Sequence, residues 1–154
     1  MSMILVTGCA GFIGFHLCAK LLEQGHHVIG VDNLNGYYAI SLKRARLDLL
    51  RPCSQFTFKY LDILDSNRLN AIFEEYRPSY VVHLAAQVGV RYSMIDPVSY
   101  VDTNIKGFLN LLEAIRDTPV MHLVYASTSS VYGANLKLPY STEDSADHPL
   151  SLYA

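Results

Sequence analysis

The stretch Met3-Ile4-Leu5-Val6-Thr7-Gly8-Cys9-Ala10-Gly11-Phe12-Ile13-Gly14 constrains this chain more than any other. An apolar run breaks at three glycines and resumes as an apolar-periodic segment from Phe12 to Leu22. That pattern reads as a buried parallel strand, a tight turn and a helix. Gly8 admits backbone angles closed to other residues, Gly11 lets a pyrophosphate approach the main chain, and Gly14 lets helix and strand pack closely. The helix start then offers unpaired N–H groups and a positive dipole end to an anion. The spacing is G-x-x-G-x-x-G, one residue longer at the front than the commoner G-x-G-x-x-G. A glycine triplet alone suits a plain structural turn. Its position between strand and helix favours nucleotide binding.

The chain then alternates strands and helices. Gly25 closes the first helix, expected over 12–24, and His27 to Val31 forms a second strand ending at Asp32. Asp32 lies 18 residues beyond Gly14, where an acidic side chain hydrogen-bonds the adenosine ribose of a dinucleotide. It would also repel a 2′-phosphate, so NAD is expected over NADP. The plain alternative is a turn aspartate before Asn33. Lys43, Arg44 and Arg46 follow on a helix; a 2′-phosphate is one use for such cations, but their spread around the helix favours a solvated face. A third strand is expected over 56–61, then a helix capped by Asp65 or Ser66 and ended by Arg77-Pro78, then a fourth strand over 80–84. His83 within that strand reads as a hydrogen-bonded core histidine. Asp96-Pro97 opens a helix expected to run to Arg116, with Val101, Ile105, Phe108, Leu109, Leu112 and Ile115 as its apolar stripe and Asn104 beside it. His122 to Tyr125 is a fifth strand, running into the hydroxyl cluster 126–133. Five strands alternating with helices predict a Rossmann-type α/β fold with a doubly wound parallel sheet.

Composition removes other classes. The 154 residues are 51% hydrophobic and 17% charged, which predicts one packed NAD-binding domain over 1–154. A net charge of −2 leaves no basic surface on which to argue nucleic-acid or anionic-membrane binding. No apolar run approaches the roughly 20 residues that span a bilayer, and no signal peptide is recognisable. Cys9, Cys18 and Cys53 lack C-x-x-C spacing and read as reduced, cytoplasmic thiols. No cluster has metal-ligand spacing. The chain stops at Ser151-Leu152-Tyr153-Ala154, inside what looks like a helix start, so the fold is expected to be incomplete at its C-terminus.

Taken together, Thr7-Gly8-x-x-Gly11-x-x-Gly14, Asp32-Asn33, Asp62-Ile63, His83-Leu84-Ala85-Ala86, Asn104-x-x-Gly107, Ser127 to Gly133 and Tyr153 resemble the extended short-chain dehydrogenase/reductase family. Within it the chain is most similar to nucleotide-sugar epimerases acting on UDP-glucuronate. The stretches Asp32 to Tyr38, Ala86 to Ser93 and Asp147 to Ala154 support this. The resemblance implies that Gly8, Gly11, Phe12, Ile13 and Gly14 hold the NAD pyrophosphate. It gives Asp32 and Asn33 the adenosine ribose, and Asp62 and Ile63 the adenine. Leu84, Ala85, Ala86, Asn104 and Ser127 would line the nicotinamide half. Tyr153 aligns with the base that takes the sugar's 4-hydroxyl proton, and Thr128 with the hydroxyl that positions O4. Ser129 and Ser130 fall where similar enzymes meet the sugar carboxylate.

Related 4,6-dehydratases carry Asp-Glu at positions 129 and 130, and related decarboxylases a glutamate at 130. Epimerisation is therefore the implied reaction, with a UDP-glucose/galactose 4-epimerase or a non-catalytic nucleotide-binding module as alternatives. The family also places a lysine four residues after the tyrosine, and supplies the UDP pocket from a C-terminal half. Neither lies within these residues, so the 154-residue chain alone is expected to be inactive and the full-length protein a homodimer.

Overall fold

The computed structural model describes residues 2–154. Five parallel strands form one sheet in the order β3-β2-β1-β4-β5. They are β1 Met3–Thr7, β2 His27–Asp32, β3 Phe56–Tyr60, β4 Tyr80–His83 and β5 His122–Tyr125. The helices α1 Phe12–Glu23, α2 Ile40–Leu50 and α3 Ser66–Tyr76 alternate with them. Strand order reverses between β1 and β4, which opens a crevice beyond their carboxyl ends.

Central β1 is buried on both faces, as a parallel strand covered by helices must be. Ile4 and Val6 pack with Leu22 of α1 and Leu47 and Leu50 of α2. Leu5 packs on the other side with Leu69, Ile72 and Phe73 of α3. Cys9 and Cys18 lie in the first of these cores as free thiols, and burial pushes Cys18 up to about 12. Helix ends follow local chemistry. Gly25, at φ +80°, donates its N–H to the Leu22 carbonyl to close α1, and the Asp65 side chain caps α3 on the Arg68 N–H.

Two expectations are corrected. The helix expected from Asp96 to Arg116 is composite: α4 Pro97–Tyr100, a π-helical stretch Val101–Gly107, then α5 Phe108–Asp117. Gly107 lets Ile63 approach this stretch closely, since a Cβ there would lie 2.6 Å from Ile63 Cδ1 and would require that side chain to shift. The expected stripe also divides. Phe108 and Ile115 pack on the core beside Leu111 and Ala114, whereas Val101, Ile105, Leu109 and Leu112 are exposed. The π turn changes the helical phase and so takes Val101 and Ile105 off the face of α5 that packs, whereas Leu109 and Leu112 lie on α5 itself, to one side of the Phe108–Leu111–Ile115 face.

Beyond β5, a 3₁₀ turn at Ser129–Tyr132 leads into the irregular segment 133–150. That segment is pinned where Gly133 passes the His148 carbonyl, at φ +45°, and where Tyr132 stacks on Tyr140 at 4.7 Å. Among the described residues no helix is long and apolar enough to cross a membrane.

Candidate active site

A cavity of about 680 Å³ occupies the crevice. Its size falls within the roughly 300–1,000 Å³ of small-molecule and cofactor sites. At its centre, Gly8 takes φ +71°, and a Cβ there would meet the Leu84–Ala85 backbone at 2.8 Å. A Cβ on Gly14 would overlap the Gly8 carbonyl. The turn is held by the Gly8 N–H on the Val31 carbonyl at 2.7 Å and the Gly11 N–H on the Gly8 carbonyl at 3.0 Å. Gly11 is the N-cap of α1 and no side chain caps that end, so the helix start faces the cavity beside exposed Phe12 and Ile13.

At one end of the cavity, Asp32 is buried. Its Oδ2 accepts the Ala10 N–H at 3.1 Å and its Oδ1 the Leu34 N–H at 2.8 Å. Asp32 is thus a turn aspartate and a cavity wall at once. Asn33 donates to the Asp62 carboxylate at 2.8 Å, and Asp62 and buried Ile63 line the same end. The solvated face expected for the basic cluster holds for Arg44 only. Lys43 is buried, 3.6 Å from Asp32 Oδ1 and 3.0 Å from Asn35 Oδ1, and Arg46 donates to the Ala10 carbonyl and the Tyr38 hydroxyl. Lys43 shares a face with Leu47 and Leu50, a spacing that marks an inward position.

At the other end, Leu84, Ala85 and Ala86 follow β4. The Thr7 hydroxyl oxygen accepts the Leu84 and Ala85 N–H groups at 3.2 and 3.1 Å, which leaves its own proton for His83 Nδ1 at 2.8 Å. Neutral His83 accordingly carries its proton on Nε2. Burial lowers its pKa to about 4, and it stacks on Phe108 at 5.1 Å. Asn104 pairs with the Gln87 backbone. Tyr100 donates to the Val88 and Gly89 carbonyls at 2.6 Å and meets the Tyr153 ring edge-on at 5.8 Å.

Ser127, Thr128 and Tyr153 line this end of the same cavity. The Thr128 hydroxyl oxygen accepts the Ser130 N–H at 3.2 Å, so its proton remains available to a ligand. Ser129 and Ser130 border a smaller adjoining cavity of about 300 Å³, which Ala154 shares with the larger one. Sequence reasoning gave no role to Tyr38, Gln87 or Tyr100, and it set Lys43 on a solvated face. Nor did it assign Asn110, whose amide holds the Ile63 and Leu64 carbonyls.

A family model described as GDP-mannose 4,6 dehydratase matches residues 5–154. The chain belongs to that family. Among members and relatives, it is 53% identical over 151 residues to Protein CapI of Staphylococcus aureus, covering 98% of this chain and 45% of that protein. It is 51% identical over 152 residues to UDP-glucuronate 4-epimerase 3 of Arabidopsis thaliana, covering 98% of this chain and 35% of that one. The solved structure of UDP-glucuronic acid 4-epimerase from Bacillus cereus, in complex with UDP-glucuronic acid and NAD, matches with a TM-score of 0.89 at 40% identity. The match covers 98% of this chain and 47% of that one. The chain thus spans less than half the length of these relatives. The GDP-mannose 4,6-dehydratase family is a branch of the extended short-chain dehydrogenase/reductases, and the parallel sheet with its glycine turn is the Rossmann-type fold.

The residues present fit a dinucleotide. Side chains are missing at Gly8 and Gly14 where they would collide with the main chain, the start of α1 is uncapped, and polar groups stand at both cavity ends.

Proposed function

We propose that these residues are the cofactor-binding part of an NAD-dependent nucleotide-sugar 4-epimerase, acting on UDP-glucuronate to give UDP-galacturonate through a 4-keto sugar. The observation that carries the reading is the single cavity bordered by the glycine turn, Thr128 and Tyr153. Similarity to named UDP-glucuronate 4-epimerases supports the substrate class.

In this reading the N–H groups at the start of α1 hold the pyrophosphate, with Gly11, Phe12, Ile13 and Gly14 as its floor. Asp32 and Asn33 take the adenosine ribose, and Asp62 and Ile63 the adenine. Leu84, Ala85, Ala86, Asn104 and Ser127 form the wall of the nicotinamide half. NAD, when bound, supplies the hydride acceptor for C4 of the sugar. Tyr153 takes the 4-hydroxyl proton and later returns it, and Thr128 orients O4 with its free hydroxyl proton. Ser129 and Ser130 donate to the sugar carboxylate from the adjoining cavity. No carboxylate stands at 129 or 130, which supports epimerisation over dehydration or decarboxylation despite the family's name.

The test is incubation of the complete gene product with UDP-glucuronate or UDP-glucose and NAD, with sugar nucleotides separated by chromatography. Formation of UDP-galacturonate is expected. Conversion of UDP-glucose alone would overturn the substrate, and turnover of neither would overturn the activity.

A further inference from the structure

This inference rests on the reading of the larger cavity as a dinucleotide site, and it concerns how the site tells NAD from NADP. The side chains of Lys43 and Asp32 are 7% and 6% exposed, with Nζ 3.6 Å from Oδ1. Their surroundings are unequal. Each oxygen of Asp32 accepts a backbone N–H, from Ala10 or Leu34, so the carboxylate is well supplied with donors. Lys43 has Asp32, the neutral Asn35 Oδ1 at 3.0 Å, and the face of the Tyr38 ring at 5.0 Å. Arg46 adds a second cation at Tyr38, its guanidinium 5.8 Å from the ring centre and hydrogen-bonded to the Tyr38 hydroxyl at 3.0 Å.

A lone carboxylate would exclude a 2′-phosphate by charge. Here the carboxylate is paired, and with Arg46 the formal balance of the three side chains is positive. We propose that Lys43 is a masked 2′-phosphate site, and that cofactor choice resides in the Asp32–Lys43 pair. Asp32 occupies the ammonium and offers its oxygens where ribose hydroxyls are read, so NAD is accepted. Removal of the carboxylate leaves a buried cation with too few partners at the cavity wall, and an anionic substituent on the ribose supplies the missing one. An NAD-selective site usually needs a cation added before it accepts NADP. This one already holds it.

The experiment is calorimetric titration of the complete gene product with NAD and with NADP. Wild type is expected to prefer NAD. Asp32→Ser should raise NADP affinity by at least about tenfold, the scale of one charge-assisted contact. Adding Lys43→Met to that variant should abolish the gain. The gain should also shrink as salt is raised, because it is ionic. Asp32→Asn keeps the side-chain shape should the serine variant fail to fold, and is expected to move the same way. Lys43→Met alone should cost more NADP than NAD affinity. The proposal is overturned if the Asp32 variants bind NAD without gaining NADP, if the gain survives Lys43→Met, or if Lys43→Met alone weakens both cofactors equally. Wild type binding neither cofactor would instead overturn the dinucleotide reading itself.

Discussion

Asn104 is bonded twice to the backbone of Gln87, its Oδ1 accepting the Gln87 N–H at 2.8 Å and its Nδ2 donating to the Gln87 carbonyl at 2.9 Å. The amide therefore closes the turn after β4 onto the π-helical stretch. Asn104→Ala strips both partners from a buried residue and should cost about 1–3 kcal/mol in urea denaturation. Asn104→Asp keeps an acceptor for the N–H but turns a second oxygen on the carbonyl, so it should not restore stability. An unchanged midpoint in the alanine variant would refute the structural role.

Acid should destabilise the fold through His83. Burial holds its folded pKa near 4, whereas the unfolded chain has the ordinary value of about 6.5. Between those values the unfolded state binds the extra proton, so this contribution is complete above about pH 6.5 and lost as pH falls toward 4. The integrated loss is on the order of 3 kcal/mol. Asn in place of His83 offers an acceptor near Nδ1 without titrating, and should flatten the dependence of unfolding free energy on pH over that window. An equally steep profile in His83→Asn would locate the proton elsewhere.

Two glycines should respond unequally to alanine. At Gly14 the new Cβ would overlap the Gly8 carbonyl, and lifting α1 to relieve this should cost about 1–3 kcal/mol and weaken NAD binding. At exposed Gly36 the nearest atom to a Cβ is Ile40 Cδ1 at 3.9 Å, so the change should stay within about 0.5 kcal/mol. Thermal unfolding with and without NAD reads both effects. Equal losses would contradict the packing described for the turn.

The two sides of α5 can be told apart in the same way. Leu111 is fully buried, and Leu111→Ala should cost about 2–5 kcal/mol. Leu109 is 54% exposed, and Leu109→Gln should change stability in these 154 residues by no more than about 0.5 kcal/mol. A large loss at Leu109 would show that its face is covered.

What could be read from sequence depended on how each feature is encoded. The β1 turn and α1 were legible because a tight turn demands glycine at fixed places, and the alternation of elements gave the parallel sheet. The glycines, Asp32, Asp62 and Tyr153 were found as motifs and meet at one cavity. Lys43 was misplaced because basic residues on a helix suggest solvent, although its spacing to Leu47 and Leu50 marked it as inward. Leu109 and Leu112 were misread because apolar residues on α5 extend beyond the face that packs, and Val101 and Ile105 because a constant 3.6-residue period was carried through Val101–Gly107, where the backbone is π-helical. Nothing in the local pattern announces that change, since Asn104 reaches Gln87 across 17 positions of chain.

Thr7 and Gly8 touch the turn after β4 directly, the first by accepting the Leu84 and Ala85 N–H groups and the second by leaving room for their backbone. The stations on either side of this contact are therefore spaced by one pair of adjacent strands, about 4.8 Å apart. The distance between the glycine turn and the turn after β4 is thereby set by strand spacing, and a ligand that bridges them meets a span already laid out for it.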